Sequence, residues 1–210
     1  LTVAFSEEQV EVCYNVSMSA YEPPNVKILA FVGMSGSGKS SAVGHLTERG
    51  IPKVYFGGIV LKAMQEQGLE LTQENEKPFR EDLRVREGKD FIAKRIIKEI
   101  YDLIGAGQHR IVADGLYTWT EYKLLKQEFH NRLTVVAVTA PRELRYDRLG
   151  HRPIRPLTHH EAHERDYAEI ENLEKGGPIA IADYTIVNDK DLENMHAQID
   201  ALVEKIEFNL

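Results

Sequence analysis

The chain has 210 residues, 42% of them hydrophobic, enough to bury one substantial core and most simply one domain. Its formal net charge of −7 and pI near 5.7 leave no general electrostatic footprint for a nucleic acid or a membrane surface. A single cysteine, Cys13, excludes an intrachain disulfide and a four-cysteine zinc site; no apolar run reaches membrane-spanning length, and the N-terminus lacks the order of a signal peptide, so a reducing cytoplasm is the expected compartment.

In residues 1–24, Val10, Val12, Tyr14 and Val16 alternate with Glu11, Cys13 and Asn15, the period-two pattern of a half-buried strand. Pro23-Pro24 closes this segment. It is expected to be a peripheral appendage without chemistry of its own, with edge strand, oligomer contact and extraneous sequence all open. Val26 to Val32 is then a nearly continuous apolar run, as a buried parallel strand should be.

Gly33-Met34-Ser35-Gly36-Ser37-Gly38-Lys39-Ser40 follows and fits G-x-x-x-x-G-K-[ST], the phosphate-binding P-loop. Ala42, Val43 and Leu46 have the spacing of a helix laid on the preceding strand. The glycines let the backbone curl and turn successive N–H groups inward, an anion-binding nest at a helix N-terminus. Gly33, Ser35, Gly36, Ser37, Gly38, Lys39, Ser40 and Ser41 are therefore the candidate nucleotide contacts. Lys39 is expected to reach the β- and γ-phosphates of ATP, and the Ser40 hydroxyl to hold Mg2+.

Lys53 to Phe56 reads as a second strand ending at Gly57-Gly58, and a helix is expected around Ile59 to Gln67. Thr72 to Lys89 is polar and charged. Within it Arg80 and Arg84 share a helical face at four-residue spacing, whereas Arg86 faces elsewhere. Residues 58–89 are where an acceptor-binding segment belongs, with Arg80 and Arg84 as its contacts; a plain surface helix is the alternative. From Asp90, Ile92, Ile96, Ile100 and Leu103 form an apolar helical stripe, ended by Gly105 and Gly107.

Arg110 to Ala113 is a third strand with Asp114-Gly115 at its C-terminal end. Asp114 is a candidate Mg2+ ligand or substrate contact, against the plainer reading of an Asp-Gly turn. Tyr117 and Trp119 are expected to pack, with stacking on a base left open for both. Thr118 and Glu121 read as a capping box, Leu133 to Thr139 as a fourth strand, and Pro141 as the first residue of a short helix. In that helix Arg142 and Arg145 are expected to face water.

Arg148, Arg152 and Arg155 come close together, stiffened by Pro153 and Pro156, just before a polar helix that a second capping box, Thr158 and Glu161, opens. That helix is expected to run to about Lys175, where Gly176-Gly177-Pro178 breaks it. Residues 149–175 resemble a lid: arginines that close over phosphate charge suit phosphoryl transfer. With few large apolar groups to bury, such a segment should open easily. His151, His159, His160 and His163 miss the H-E-x-x-H pattern by one residue, so a solvated helix start is favoured over a metal site. Tyr184 to Asn188 is a fifth strand, and Leu192, Met195, Ile199, Val203 and Ile206 mark a closing helix.

Strands alternating with helices call for an α/β fold with a parallel sheet. The P-loop, Asp114, the arginines after Thr139 and Asn188 each follow a strand, so they converge on one crevice at the carboxyl ends.

From about Val26 to the C-terminus the chain resembles the P-loop nucleotide kinases, the adenylate-kinase-like group that includes nucleoside monophosphate kinases and dephospho-coenzyme A kinase. The likeness is carried by the P-loop, the Asp114-Gly115 strand end, the lid arginines and the stretch Ala182-Asp183-Tyr184-Thr185-Ile186-Val187-Asn188-Asp189. It implies a P-loop NTPase three-layer sandwich over residues 25–210: five parallel strands in order 2-3-1-4-5, helices on both faces and a helical lid. It also implies an ATP- and Mg2+-dependent kinase of a small nucleotide-like acceptor, with no nucleic-acid or membrane partner. Lys39, Arg148, Arg152, Arg155 and Asp114 would act on the reacting phosphates. Ser40 and Asp114 would hold the metal. Arg80, Arg84, Asp114 and Tyr117 would meet the acceptor, Asn188 would line the adenine pocket, and Arg165 would be a lid-helix phosphate contact.

One departure bears on the acceptor. Dephospho-coenzyme A kinases carry an Asp after the second strand, suited to taking the proton of an attacking hydroxyl, and here the turn is Phe56-Gly57-Gly58. An acceptor phosphate needs no base, which tilts the reading towards a nucleoside monophosphate, although Asp114 is placed to supply one. A P-loop NTPase switch acting on a protein partner is the alternative of another class. The pairing of acceptor arginines with lid arginines favours the kinase.

Overall fold

The computed structural model describes residues 25–153 and 156–209. The alternating pattern of residues 10–16 and the side chain of Arg155 lie outside the described residues. Strand β1 (Lys27–Val32) is the centre of a five-stranded parallel sheet, with β2 (Lys53–Tyr55), β3 (Arg110–Asp114), β4 (Leu133–Thr139) and β5 (Tyr184–Val187) in the order β2-β3-β1-β4-β5. This is the order that the family resemblance implied.

Alternation along β1 divides the core into two layers. Ile28, Ala30 and Val32 pack with Ile59, Met64, Phe91, Ile96, Leu125 and Phe129, from helices α2 (Gly58–Glu66), α4 (Phe91–Gly105) and α5 (Trp119–Phe129). Leu29 and Phe31 face the other way, onto Ala42, Val43 and Leu46 of α1 (Lys39–Thr47) and Met195 and Ile199 of α9 (Leu192–Lys205). Every residue of β1 after Lys27 is buried, as a strand covered on both faces requires.

Between these elements lie α3 (Gln73–Glu87), α6 (Arg142–Gly150), α7 (His159–Glu171) and the short α8 (Gly176–Ala180). Both capping boxes form, Thr118 with Glu121 and Thr158 with Glu161. Three details differ from expectation. Pro141 caps α6 in an extended conformation rather than being its first residue. The apolar stripe of α4 is turned towards Phe91 and Ala93, leaving Ile92 and Leu103 half-buried. The helix expected to run to about Lys175 stops at Glu171, and Gly176-Gly177-Pro178 begins α8 instead of merely breaking the chain. A Cβ on Gly177 would lie 2.8 Å from the Trp119 ring, so glycine allows this close approach. Pro178 sits in the first turn, where a missing N–H is tolerated.

Parallel register aligns the strand ends. Phe31 pairs with Asp114 and Val136, Tyr55 with Asp114, and Thr139 with Val187. The residues leaving β1, β2, β3, β4 and β5 thus meet along one edge.

Candidate functional site

A cleft of about 1170 Å³ opens along that edge. The P-loop forms one wall. Gly33, Gly36 and Gly38 all have positive φ (148°, 80° and 99°), and all three also sit where no side chain fits, Gly33 against the Val138 carbonyl oxygen of β4. A Cβ on Gly36 would come 2.6 Å from the Arg145 carbonyl oxygen, and one on Gly38 would run into the Asn188 amide. The loop is therefore clamped by α6 and by the end of β5 as well as curled on itself.

Lys39 Nζ folds back to donate to the Gly33 and Met34 carbonyls, at 2.6 and 3.0 Å. Burial, reinforced by the nearby Lys175 ammonium, pulls its amine down to about 7. A buried amine with a second cation beside it fits an anionic ligand, which would restore the charge. Ser37 Oγ is buried with no hydrogen-bond partner among the described residues. Ser40 and Asp114 line the same cleft, and a hydroxyl plus a carboxylate are the hard oxygen donors that Mg2+ accepts beside phosphate. The residues present fit a magnesium nucleotide.

The same cleft is also lined by Lys53, Tyr55, Arg80, Arg84, Ile92 and Tyr117. Asp114 Oδ2 is 3.8 Å from Lys53 Nζ. Burial raises the Asp114 carboxyl above its usual value against the pull of Lys53 and Lys39. Glu121 closes its capping box by accepting from the Thr118 N–H and also takes the Tyr117 N–H, both at 2.9 Å, which fixes Tyr117 beside Asp114. Arg80 and Arg84 both reach the cleft, steadied by Glu76 (3.1 Å) and Glu81 (2.7 Å). Arg80 Nε is buried without a partner among the described residues. Arg86 pairs with Asp82 and takes no part in the cleft lining. Trp119 stacks on Tyr122, so it packs, as expected.

The third wall comes from α6, α7 and the loop after α7. Arg148 donates to the Asn188 carbonyl (3.2 Å) and side-chain oxygen (3.3 Å), while Asn188 Nδ2 donates to the Ser37 carbonyl at 2.8 Å. Asn188 thus ties the lid side to the P-loop backbone. Arg152 lines the cleft, its guanidinium disfavoured by burial and by Arg165. Arg165 Nε donates to Ser35 Oγ at 2.9 Å.

Arg145 does not face water as expected. It is buried, fork-to-fork on Asp166 (2.8 and 2.5 Å), and also donates to the Ser35 carbonyl at 3.0 Å. The Tyr146 hydroxyl adds a bond to Asp166 at 3.1 Å. The α7 helix covers this side of α6, and a charge covered by a helix needs a partner.

Sequence reasoning also missed Glu169 and Lys175. Glu169 accepts from Ser35 N (3.1 Å) and Ser35 Oγ (2.5 Å), Lys175 Nζ lies 2.9 Å from its Oε2, and Arg165 Nε lies 3.3 Å from its Oε1. Burial pushes the Glu169 carboxyl up, but Lys175 and the Ser35 bonds outweigh it and hold it at about 2. The one available signal was spacing: Asp166 and Glu169 are three apart and so share a face of α7. His151, His159 and His160 are exposed and His163 is half-buried; His159 pairs with Glu143 and His163 meets Tyr167.

A P-loop after the central strand of a β2-β3-β1-β4-β5 parallel sheet, with an arginine-bearing helical segment lining its cleft, defines the kinase class of P-loop folds. Within that class the chain belongs to the AAA_18 family, described as an AAA domain, whose model matches residues 29–172. It is 34% identical over 182 residues to a UPF0200 protein of Thermococcus onnurineus, covering 85% of this chain and 97% of that one. Two solved structures share the fold. The TT1252 protein of Thermus thermophilus has a TM-score of 0.54 at 19% identity, covering 87% of this chain and 98% of that one. Shikimate kinase from Bacteroides thetaiotaomicron has a TM-score of 0.53 at 12% identity, covering 86% and 98%. No helix among the described residues is long and apolar enough to cross a membrane.

Proposed function

We propose that the protein transfers a phosphoryl group from ATP, with Mg2+, to a small anionic acceptor, a nucleoside monophosphate in the first instance. One observation carries this reading: a single cleft is lined by the P-loop, by the cations Lys53, Arg80 and Arg84, and by Arg148, Arg152 and Arg165. A binding switch needs only the P-loop side. The kinase named among the structures of like fold agrees with it.

In this reading ATP supplies the phosphoryl group, and Mg2+ shields its charge. The backbone N–H groups from Gly36 to Ser41 and the Lys39 ammonium hold the phosphate chain, and Ser40 with Asp114 holds the metal. Asn188, behind the loop, borders the nucleoside side. Arg80 and Arg84, on the segment 58–89, bind the acceptor's own phosphate, with Tyr117 against the rest of it. The acceptor oxygen bonds to the γ-phosphorus as the bond to the ADP oxygen breaks. Arg148 and Arg152, with Arg155 from the same segment, neutralise the equatorial oxygens, and closure of residues 149–175 excludes water. A cytoplasmic setting, where ATP is plentiful, belongs to the same proposal.

A second reading, a hydroxyl acceptor such as dephospho-coenzyme A, is favoured by Asp114: a carboxyl raised by burial is better suited to take a proton. The test is incubation with MgATP and a panel of nucleoside monophosphates and dephospho-coenzyme A, with mass detection of products. ADP together with one phosphorylated acceptor is expected, and the acceptor's class decides between the two readings. ATP hydrolysis indifferent to every acceptor but stimulated by a protein partner would replace both with the switch.

A further inference from the structure

Lys175 lies just beyond the residues 29–172 that define the family match, and nothing in its local sequence distinguishes it. Its side chain is 2% exposed, yet it borders the cleft. On one side its ammonium meets Glu169 Oε2, and through that carboxylate it is fixed to Ser35, the third residue of the P-loop motif. On the other side it stands 4.7 Å from the centre of the Tyr117 ring, in the acceptor wall. It therefore sits at the junction of the two halves of the cleft, close enough to Lys39 for its charge to depress that amine.

We propose that Lys175 is a catalytic cation that contacts the phosphoryl group in transfer, and that Glu169 positions it. The proposal rests on the phosphoryl-transfer reading above. An ammonium has three protons to donate, and among the described residues Glu169 is its one ion-pair partner. Removing such a pair from water costs several kcal/mol per ion, and a well-packed apolar pair would hold the same helix as well or better. Folding alone thus gives no reason for a charge here. An anion arriving between Lys39, Arg165 and Lys175 gives one. Glu169 keeps the ammonium aimed and charged, and its bonds to Ser35 set the distance between Lys175 and the loop.

The experiment measures ADP affinity of the full chain by calorimetry in Mg2+, with and without aluminium fluoride, a mimic of the phosphoryl group in flight. Wild type should bind ADP at least about tenfold more tightly with fluoride, because transition-state mimics bind better than ground-state ligands. Lys175→Met should lose that gain while changing affinity for ADP alone by less than about threefold, and it should lower transfer to the acceptor by roughly 10²-fold or more. Lys175→Met alone leaves the buried Glu169 carboxylate with only the half-exposed Arg165 as counter-ion, so Lys175→Met with Glu169→Gln is made alongside, and it should lose the gain too. A melting curve of that double variant near the wild-type one shows that the fold survives. If the folded variants keep the fluoride gain, Lys175 is structural and the inference is overturned, while the proposed function stands. If wild type gains nothing from fluoride, phosphoryl transfer itself is contradicted, and the inference falls with it.

Discussion

The P-loop is backed by Ala42, Val43 and Leu46 of α1, packed on Leu29 and Phe31 of β1, and all five are buried. The α7 helix has little of this kind. Its Ala162 joins Tyr146 and Leu149 in a small cluster, and its other buried side chains are Asp166 and Glu169. The donor half is thus held by apolar contacts, which are indifferent to pH and to bound anions. The lid half is held by carboxylates on Arg145, Ser35 and Lys175. Of those cations Lys175 lines the cleft, where in the proposed reading an incoming polyphosphate would compete for it, whereas Arg145 does not. The difference teaches that apolar packing fixes the P-loop side while α7 is held mainly by buried polar pairs, which in the proposed reading would let the cover respond to its ligand.

The sharpest way to break this comparison is at Lys39. Lys39→Ala removes a charge-assisted contact made most strongly in the transition state, so turnover should fall roughly 10³-fold while the unfolding midpoint stays near wild type. Spared activity would remove the donor half of the account. Next comes the lid's anchor. Arg145→Ala leaves Asp166 as an uncompensated buried charge and should cost about 3–5 kcal/mol in denaturant unfolding, whereas Arg145→Met with Asp166→Leu should recover most of it. A negligible loss in the single variant would mean that the pair does not hold α7.

A smaller effect is expected from acid. The Glu169 carboxyl sits at about 2, below its ordinary 4.5, so the stability it contributes is complete above about 4.5 and is lost as pH falls towards 2. That contribution is on the order of 2–3 kcal/mol. Urea unfolding of wild type and Glu169→Gln should differ at neutral pH and converge across that window; a constant difference would contradict the assignment. Least in size, Arg152→Ala should lower the transfer rate about tenfold and change ATP binding by less than about threefold, since its contact belongs to the closed lid. Steady-state kinetics separate the two.

What was legible in the sequence follows the same division. The P-loop is eight contiguous residues whose chemistry is local, and β3 with Asp114, the two capping boxes and the register-aligned crevice could each be read from short windows. The lid arginines at 148 and 152 were legible as a cluster and do line the cleft. The contacts that hold the lid were not. Ser35 and Glu169 are separated by 134 positions and Arg145 and Asp166 by 21, and in a polar helix these acids look like any solvated face. Periodicity reports which residues are apolar, so it misplaced Arg145, a charge buried because a second helix covers it. Lys175 had no pattern at all, and its position depends on where α7 ends and on the turn through Glu174, whose φ of 52° lies in the left-handed region.

The comparison is tested most directly by amide hydrogen exchange across β1, β4 and α7 in one sample, free, with ADP and Mg2+, and with a two-substrate analogue joining adenosine to the accepted nucleotide. The account predicts that amides of residues 159–171 exchange well before those of the two strands in the free protein, slow modestly with ADP, and slow most with the analogue, while the strands change little. Protection of residues 159–171 equal to that of the strands without ligand, and unchanged by either ligand, would show a fixed helix and contradict the account.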